Sequence, residues 1–135
     1  MKFTQSKVMS MNKRITLDRF VGGKNKALTM SYDDGRAQDR KLVEIFDKYG
    51  IRGTFNLNSG LLGLDERIDA EEAVSLYSHH EIAVHTVSHP SLPYVSTELN
   101  AREVLEDRQR LEEITGYPVR GMAYPNGIYN EQVKF

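Results

Sequence analysis

Two carboxylates and two imidazoles carry the chemistry that this sequence could perform. Asp33 and Asp34 stand together after the apolar stretch Ala27–Tyr32 and before Gly35, and His85 and His89 lie four residues apart in HTVSHP. Two imidazoles at that spacing reach one metal ion if the residues between them form a single turn. Pro90 holds His89 out of helical geometry, so the turn is short. A carboxylate from a neighbouring strand end would complete a two-His, one-carboxylate set with open positions. Such a set suits Zn2+ in hydrolysis, or Fe2+, Mn2+ or Co2+. Adjacent aspartates add what a hydrolase needs, one oxygen for the ion and a second carboxylate beside it to take a proton from water. His79 and His80 differ: they fall at a helix C-terminus, where the dipole favours imidazolium, and are read as surface residues.

Asp-Gly is also a hairpin signal, so the elements around it decide its meaning. Arg36–Tyr49 has a helical period, with Leu42, Ile45, Phe46 and Tyr49 on one face and Gly50 as its stop. Asp33-Asp34-Gly35 therefore leads into a helix, not into a second strand. Gly53–Leu57 and Glu81–His85 read as further strands, and Val119–Tyr124 as a fourth. Between them, Asp69 and Glu72 make a capping-box pattern for a helix through Tyr77. Thr97–Thr115 is the longest helix, with Ala101, Val104, Leu105, Leu111 and Ile114 facing inward, and Asn130 caps a further helix toward Phe135. Alternating strands and helices predict an α/β fold with a parallel sheet. In such folds ligands bind at the carboxyl ends of strands. Asp33 and Asp34, Asn56 and Asn58, His85, and Tyr124-Pro-Asn126-Gly all stand at those ends.

The bulk numbers narrow the classes. The chain has 135 residues, 39% apolar and 27% charged, as expected for one globular domain. No apolar run is long enough to cross a membrane, and the first residues lack the apolar core of a signal peptide. With zero cysteines the chain has no disulfide or thiolate chemistry, and a cytoplasmic location is expected. A net charge of −1 argues against a nucleic-acid partner. Residues 1–26 nonetheless hold seven Lys/Arg against one acid, and read as a basic N-terminal arm or edge hairpin.

Taken together, the motifs resemble those of the polysaccharide deacetylases (carbohydrate esterase family 4, the NodB-homology domain). Ser31-Tyr-Asp-Asp-Gly35 is similar to the family's Thr-Phe-Asp-Asp-Gly, and His85-Thr-Val-Ser-His89 to its His-Ser/Thr-x-x-His. Ala123-Tyr-Pro-Asn-Gly127 resembles its Arg-Pro-Pro-Tyr-Gly, and Gly50-Ile-Arg-Gly-Thr-Phe55 its second-strand phrase. The resemblance runs from about Ala27 to the C-terminus. It implies a (β/α) barrel of the deacetylase type, of which residues 27–135 supply about the first four βα units. It implies Asp33 as general base, Asp34, His85 and His89 as ligands of a divalent metal (Zn2+ foremost, with Co2+, Mn2+, Fe2+ or Ni2+ as alternatives), and Asn126 with Tyr124 at the oxyanion and substrate. Two departures accompany it. The arginine that pairs with the catalytic aspartate falls at Ala123, with Arg120 three residues early, and the later motifs, including a general-acid histidine, would lie beyond Phe135.

The expected activity is removal of acetyl groups from N- or O-acetylated saccharides, or hydrolysis of a related small amide, with no nucleic-acid or membrane partner. Four units would leave an open sheet edge through which copies could associate. Two alternatives come from other classes: a non-haem iron oxygenase on the same two-His, one-carboxylate set, and a catalytically dead metal- or carbohydrate-binding fragment.

Overall fold

The computed structural model describes residues 19–134. Its centre is a parallel sheet of three strands in the order β1-β2-β3. These are β1 (Ser31–Asp33), β2 (Thr54–Leu57) and β3 (Glu81–Val84). Helix α1 (Asp39–Tyr49) connects the first pair, α2 (Ala70–Leu76) the second, and α3 (Thr97–Thr115) follows β3. Among the described residues no helix is long and apolar enough to cross a membrane.

The register pairs Tyr32 with Phe55 and Ile82, and Asp33 with Asn56 and Ala83. Because successive side chains point to opposite faces, one face of the sheet is apolar and the other polar. On the apolar face Tyr32 stacks on Phe55 at 5.9 Å, and Phe55 on Tyr77 at 4.4 Å. Val43, Phe46, Ile68 and Ala73 pack against this layer. Full burial of a side chain such as Phe55 stabilises the fold by about 1.5–3 kcal/mol. The opposite face carries Ser31, Asp33, Thr54, Asn56 and Glu81, and leads at its carboxyl end to the candidate chemistry.

Several expectations are refined. The first strand is Ser31–Asp33, not Ala27–Tyr32, because its pairing with β2 begins at Ser31, and Leu28 is 84% exposed. The fourth strand contracts to one parallel bridge, Val84 to Met122. Val84 N–H donates to Gly121 O, and Ala123 N–H to Val84 O. Upstream, Val119 N–H is taken by the Glu112 carboxylate of α3, and downstream Pro125 opens a 3-10 turn, so the ladder cannot extend. Gly121 fits there for lack of a side chain, since a Cβ would stand 3.0 Å from Ala83 Cβ.

Helix α1 starts at Asp39, three residues later than expected, and buries Val43 and Phe46 while Ile45 and Tyr49 are exposed. Gly50 does end it, in the left-handed conformation that a Cβ disfavours. Asp69 caps α2 by accepting from Glu72 N–H, but the Glu72 side chain pairs with Arg40 instead of returning to Asp69, which leaves half a capping box. His80 is buried, not a surface residue: its Nδ1 accepts from Gly53 N–H, and burial lowers its pKa. His79 is exposed as expected. Asn130 closes a turn, accepting from Gln132 and Val133 N–H, where a further helix was expected. Of the basic segment 1–26, residues 1–18 lie outside the described residues, and Phe20 and Lys24 close a tight antiparallel bridge.

Candidate active site

The carboxyl ends of β1 and β3 bring Asp33, Asp34, His85 and His89 together. Asp34 Oδ1 lies 3.6 Å from His89 Nε2 and 3.9 Å from His85 Nε2. One ligand atom from each of the three falls within 4.8 Å of the others. Ligand atoms bonded at roughly 2.0–2.2 Å to one ion stand some 3–4 Å apart, so the spacing needs little adjustment to hold one. Two further features fit a cation. Asp34 Oδ1 is buried and has no hydrogen-bond partner, an arrangement that ordinarily costs free energy. His85 is 1% exposed and sets its Nδ1 2.9 Å from the carbonyl of Ala123. A carbonyl only accepts, so Nδ1 holds the proton and Nε2 offers its lone pair toward Asp34.

Asp33 stands at the same rim in a different setting. Its Oδ2 is 3.9 Å from His85 Nε2, and its side chain is half exposed. Its Oδ1 accepts at 2.8 Å from Asn56 Nδ2, which also approaches Ser31 Oγ and the Tyr32 carbonyl. The register makes this contact, because Asp33 and Asn56 are direct partners on adjacent strands. Asp34 instead engages a cation from its own loop: Arg36 Nη2 donates to its Oδ2 at 3.0 Å. The cation at the aspartates thus comes from Arg36, while Asp33 is held by a neutral amide and Arg120 is exposed to solvent.

Asn126 is exposed in the turn Pro125–Gly127, whose Pro125 is buried, and its side chain donates to Ser91 Oγ and ties that turn to the segment after His89. The Tyr124 hydroxyl donates to the Val133 carbonyl at 2.9 Å, and its ring lies 5.7 Å from that of Tyr129. Backbone strain collects around these residues. Asp34, Thr86, His89 and Asn126 all have φ between 59° and 78°, a region that costs side-chain-bearing residues about 1–3 kcal/mol each. Thr86 is the sharpest case because it is β-branched.

What fixes the HTVSH loop in that shape is a set of residues of which the sequence pointed only to Asn58, at the end of β2. Asp107 of α3 is fully buried and accepts from Ser59 N–H at 2.7 Å and His85 N–H at 3.0 Å. Burial pushes its carboxyl above the ordinary range, opposed by those hydrogen bonds. Glu103 accepts from Ser88 N–H at 2.9 Å and Ser88 Oγ at 2.7 Å. Asn58, also buried, donates to the carbonyls of His85 and Thr86. The inward face of α3 is thus Asn100, Glu103, Asp107 and Leu111, and Leu105 is 63% exposed. The steps of three and four residues from Asn100 to Glu103 to Asp107 were the available signal; the apolar period leads to Leu111 and Val104, which do face the core, but not to these polar residues.

The family model for polysaccharide deacetylase matches residues 21–135. Solved structures of similar fold include a deacetylase of Streptococcus pyogenes in complex with acetate. It is 23% identical with a TM-score of 0.75, and the match covers 80% of this chain and 50% of that one. A polysaccharide deacetylase from Bacillus cereus is 21% identical with a TM-score of 0.74, covering 82% and 37%. A CE4 family pseudoenzyme from Bacillus anthracis is 22% identical with a TM-score of 0.66, covering 81% and 39%. At these identities the likeness is one of fold, and the chain spans half or less of each of these three. No curated protein matches the chain.

Proposed function

The chain belongs to the polysaccharide deacetylase family, and we propose that its Asp33, Asp34, His85 and His89 form a metal-dependent hydrolytic site that removes acetyl groups from N- or O-acetylated saccharides or related amides. The observation that carries this is the buried, unpartnered Asp34 Oδ1 facing two imidazole Nε2 atoms, with a second carboxylate beside them. Asp34, His85 and His89 would hold a divalent ion, Zn2+ by the chemistry of the donor set. That ion would supply a Lewis acid that acidifies water and polarises the acyl oxygen.

The remaining roles fall to the chain's own groups. Asn56 anchors Asp33 Oδ1, which leaves Oδ2 turned toward the imidazoles to take the proton of the attacking water. The Asn126 N–H, at the turn tied to Ser91, would donate to the developing oxyanion. An amine leaves as a neutral molecule only if it receives a proton, whereas an alkoxide or phenoxide departs more easily. Esters, whose leaving group needs no proton, should therefore be cleaved more readily than amides.

The test is acetate release from an N-acetylated oligosaccharide and from an activated acetyl ester, with Zn2+ or Co2+ supplied. Asp33→Asn should keep the ion and lose roughly 10²–10⁴-fold in rate. Loss of the ion in Asp33→Asn would contradict the division of labour between the two aspartates. One observation favours a second reading: Ala123 stands where the family has its aspartate-pairing arginine, which suits a metal-binding fragment without turnover. A bound ion with no acetate released from either substrate would establish that reading instead.

A further inference from the structure

The HTVSH loop has a shape that its own sequence does not favour. Thr86 has φ 70° and His89 φ 59°, and these two residues set where both imidazoles point. Left-handed conformations of this kind persist only where the surroundings over-determine them. Here the surroundings come from two sides: the end of β2 and the loop after it, where Asn58 donates to the His85 and Thr86 carbonyls and Gly60 N–H to the Val87 carbonyl, and one face of α3. Glu103 takes both donors of Ser88, its main-chain carbonyl accepts from Val87 N–H at 3.2 Å, and Asp107 accepts from His85 N–H. Four residues apart on α3, the two carboxylates share a face and grip the loop at its beginning and just before His89. His89 N–H turns back to Thr86 Oγ1.

We infer that Glu103 and Asp107 are positioning residues for the metal-binding imidazoles, acting through the backbone of the loop and without touching the ion. The inference rests on the reading of Asp34, His85 and His89 as a metal site. Asp107 shares the His85 N–H with the Leu57 carbonyl of β2, each at 3.0 Å, and so holds His85 from the helix side. Glu103 fixes Ser88, one residue from His89, by a two-point contact that any rotation of the loop would break. Neither residue belongs to the recognisable motifs or to the apolar period of α3.

Groups that orient metal ligands typically change affinity by 10–100-fold when removed. The experiment is a Co2+ titration of the full chain followed by its visible absorption, with Glu103→Ala, Glu103→Gln and Ser88→Ala alongside. Circular dichroism monitors helix content in each. Glu103→Ala should bind Co2+ roughly 10–100-fold more weakly, with an altered band shape. Glu103→Gln should recover most of the loss, because its oxygen can accept from Ser88 N–H and its amide can donate to Ser88 Oγ. Ser88→Ala, which changes only an exposed loop residue and removes one of the two bonds, should fall between them. Wild-type affinity in both Glu103→Ala and Ser88→Ala would overturn the inference while leaving the metal site intact. So would a Gln variant as weak as the Ala variant, since charge and not hydrogen bonding would then be responsible. Failure of the wild-type chain to bind Co2+ at one ion per chain would overturn the metal reading, and the inference with it.

Discussion

Replacing Gly60 by alanine probes the coupling between the loop after β2 and the imidazole-bearing loop. Gly60 has no unusual φ, so alanine meets no backbone penalty there, and any effect is steric. A Cβ at this position would stand 2.7 Å from the Val87 carbonyl oxygen and 2.8 Å from Val87 Cγ1, where ordinary contact begins near 3.4 Å. The Val87 backbone must therefore retreat by about 0.7 Å, stretching the Gly60 N–H bond to its carbonyl, now 3.1 Å. Val87 lies between His85 and His89, and metal–ligand distances tolerate only about 0.2 Å. Overpacking of this kind costs roughly 1–3 kcal/mol. For a domain of this size that corresponds to a fall of roughly 3–15 °C in Tm. The assay is thermal melting with and without Zn2+, together with a Zn2+ titration. The apo protein should melt lower, and the stabilisation gained from Zn2+ should shrink as well, because the ligand geometry is disturbed. An alanine variant with wild-type Tm and wild-type Zn2+ affinity would refute the reasoning.

Three further outcomes follow from the same contacts. Asn56→Ala removes the amide on Asp33 Oδ1 and should lower kcat for the acetyl ester with Zn2+ affinity unchanged; steady-state kinetics beside a metal titration checks this. Tyr77→Phe deletes the bond from its buried hydroxyl to Asp39 Oδ2 and should cost about 1.5–3 kcal/mol in urea unfolding, the range for a hydrogen bond to a charged group. His80 has its pKa lowered chiefly by burial, against the pull of Asp47 and with help from His79 and Arg52, so the folded state binds fewer protons than the unfolded one. Its contribution to stability is complete above the unfolded value of about 6.5 and is lost as pH falls from there toward the folded value. Thermal melts between pH 8 and 5 should show a steeper acid decline in the wild type than in His80→Gln.

The sequence made the candidate site's residues legible because their positions coincide with abrupt changes of local pattern. Asp33 and Asp34 end an apolar run, and Pro90 ends the histidine turn. Helix α3 was legible to the residue, Thr97–Thr115, because Ser96 caps its start and Gly116 its end. Its orientation was legible only in part: Leu111 is buried and Val104 packs against the core as expected, but Glu103 and Asp107 are buried through backbone N–H groups and the Ser88 hydroxyl, partners distant in the chain. The fourth strand misled for a related reason: Val119–Tyr124 has strand composition, but its N–H groups find Glu112 and a single bridge. Asn56 could be placed at a strand end, yet its contact with Asp33 depends on the register between β1 and β2, a non-local property. His80 is buried by its ring contacts with Phe46 and Phe55, which a reading of its helix end alone cannot supply.

The central claim is that Asp34, His85 and His89 hold one divalent ion beside Asp33. Crystals grown with Zn2+ and measured across its absorption edge test it directly. The account predicts one strong anomalous peak per chain, about 2.0–2.2 Å from Asp34 Oδ1, His85 Nε2 and His89 Nε2, and absent in His89→Ala. A Zn2+-soaked chain with no peak among these three atoms, or with its ion held elsewhere, would contradict it.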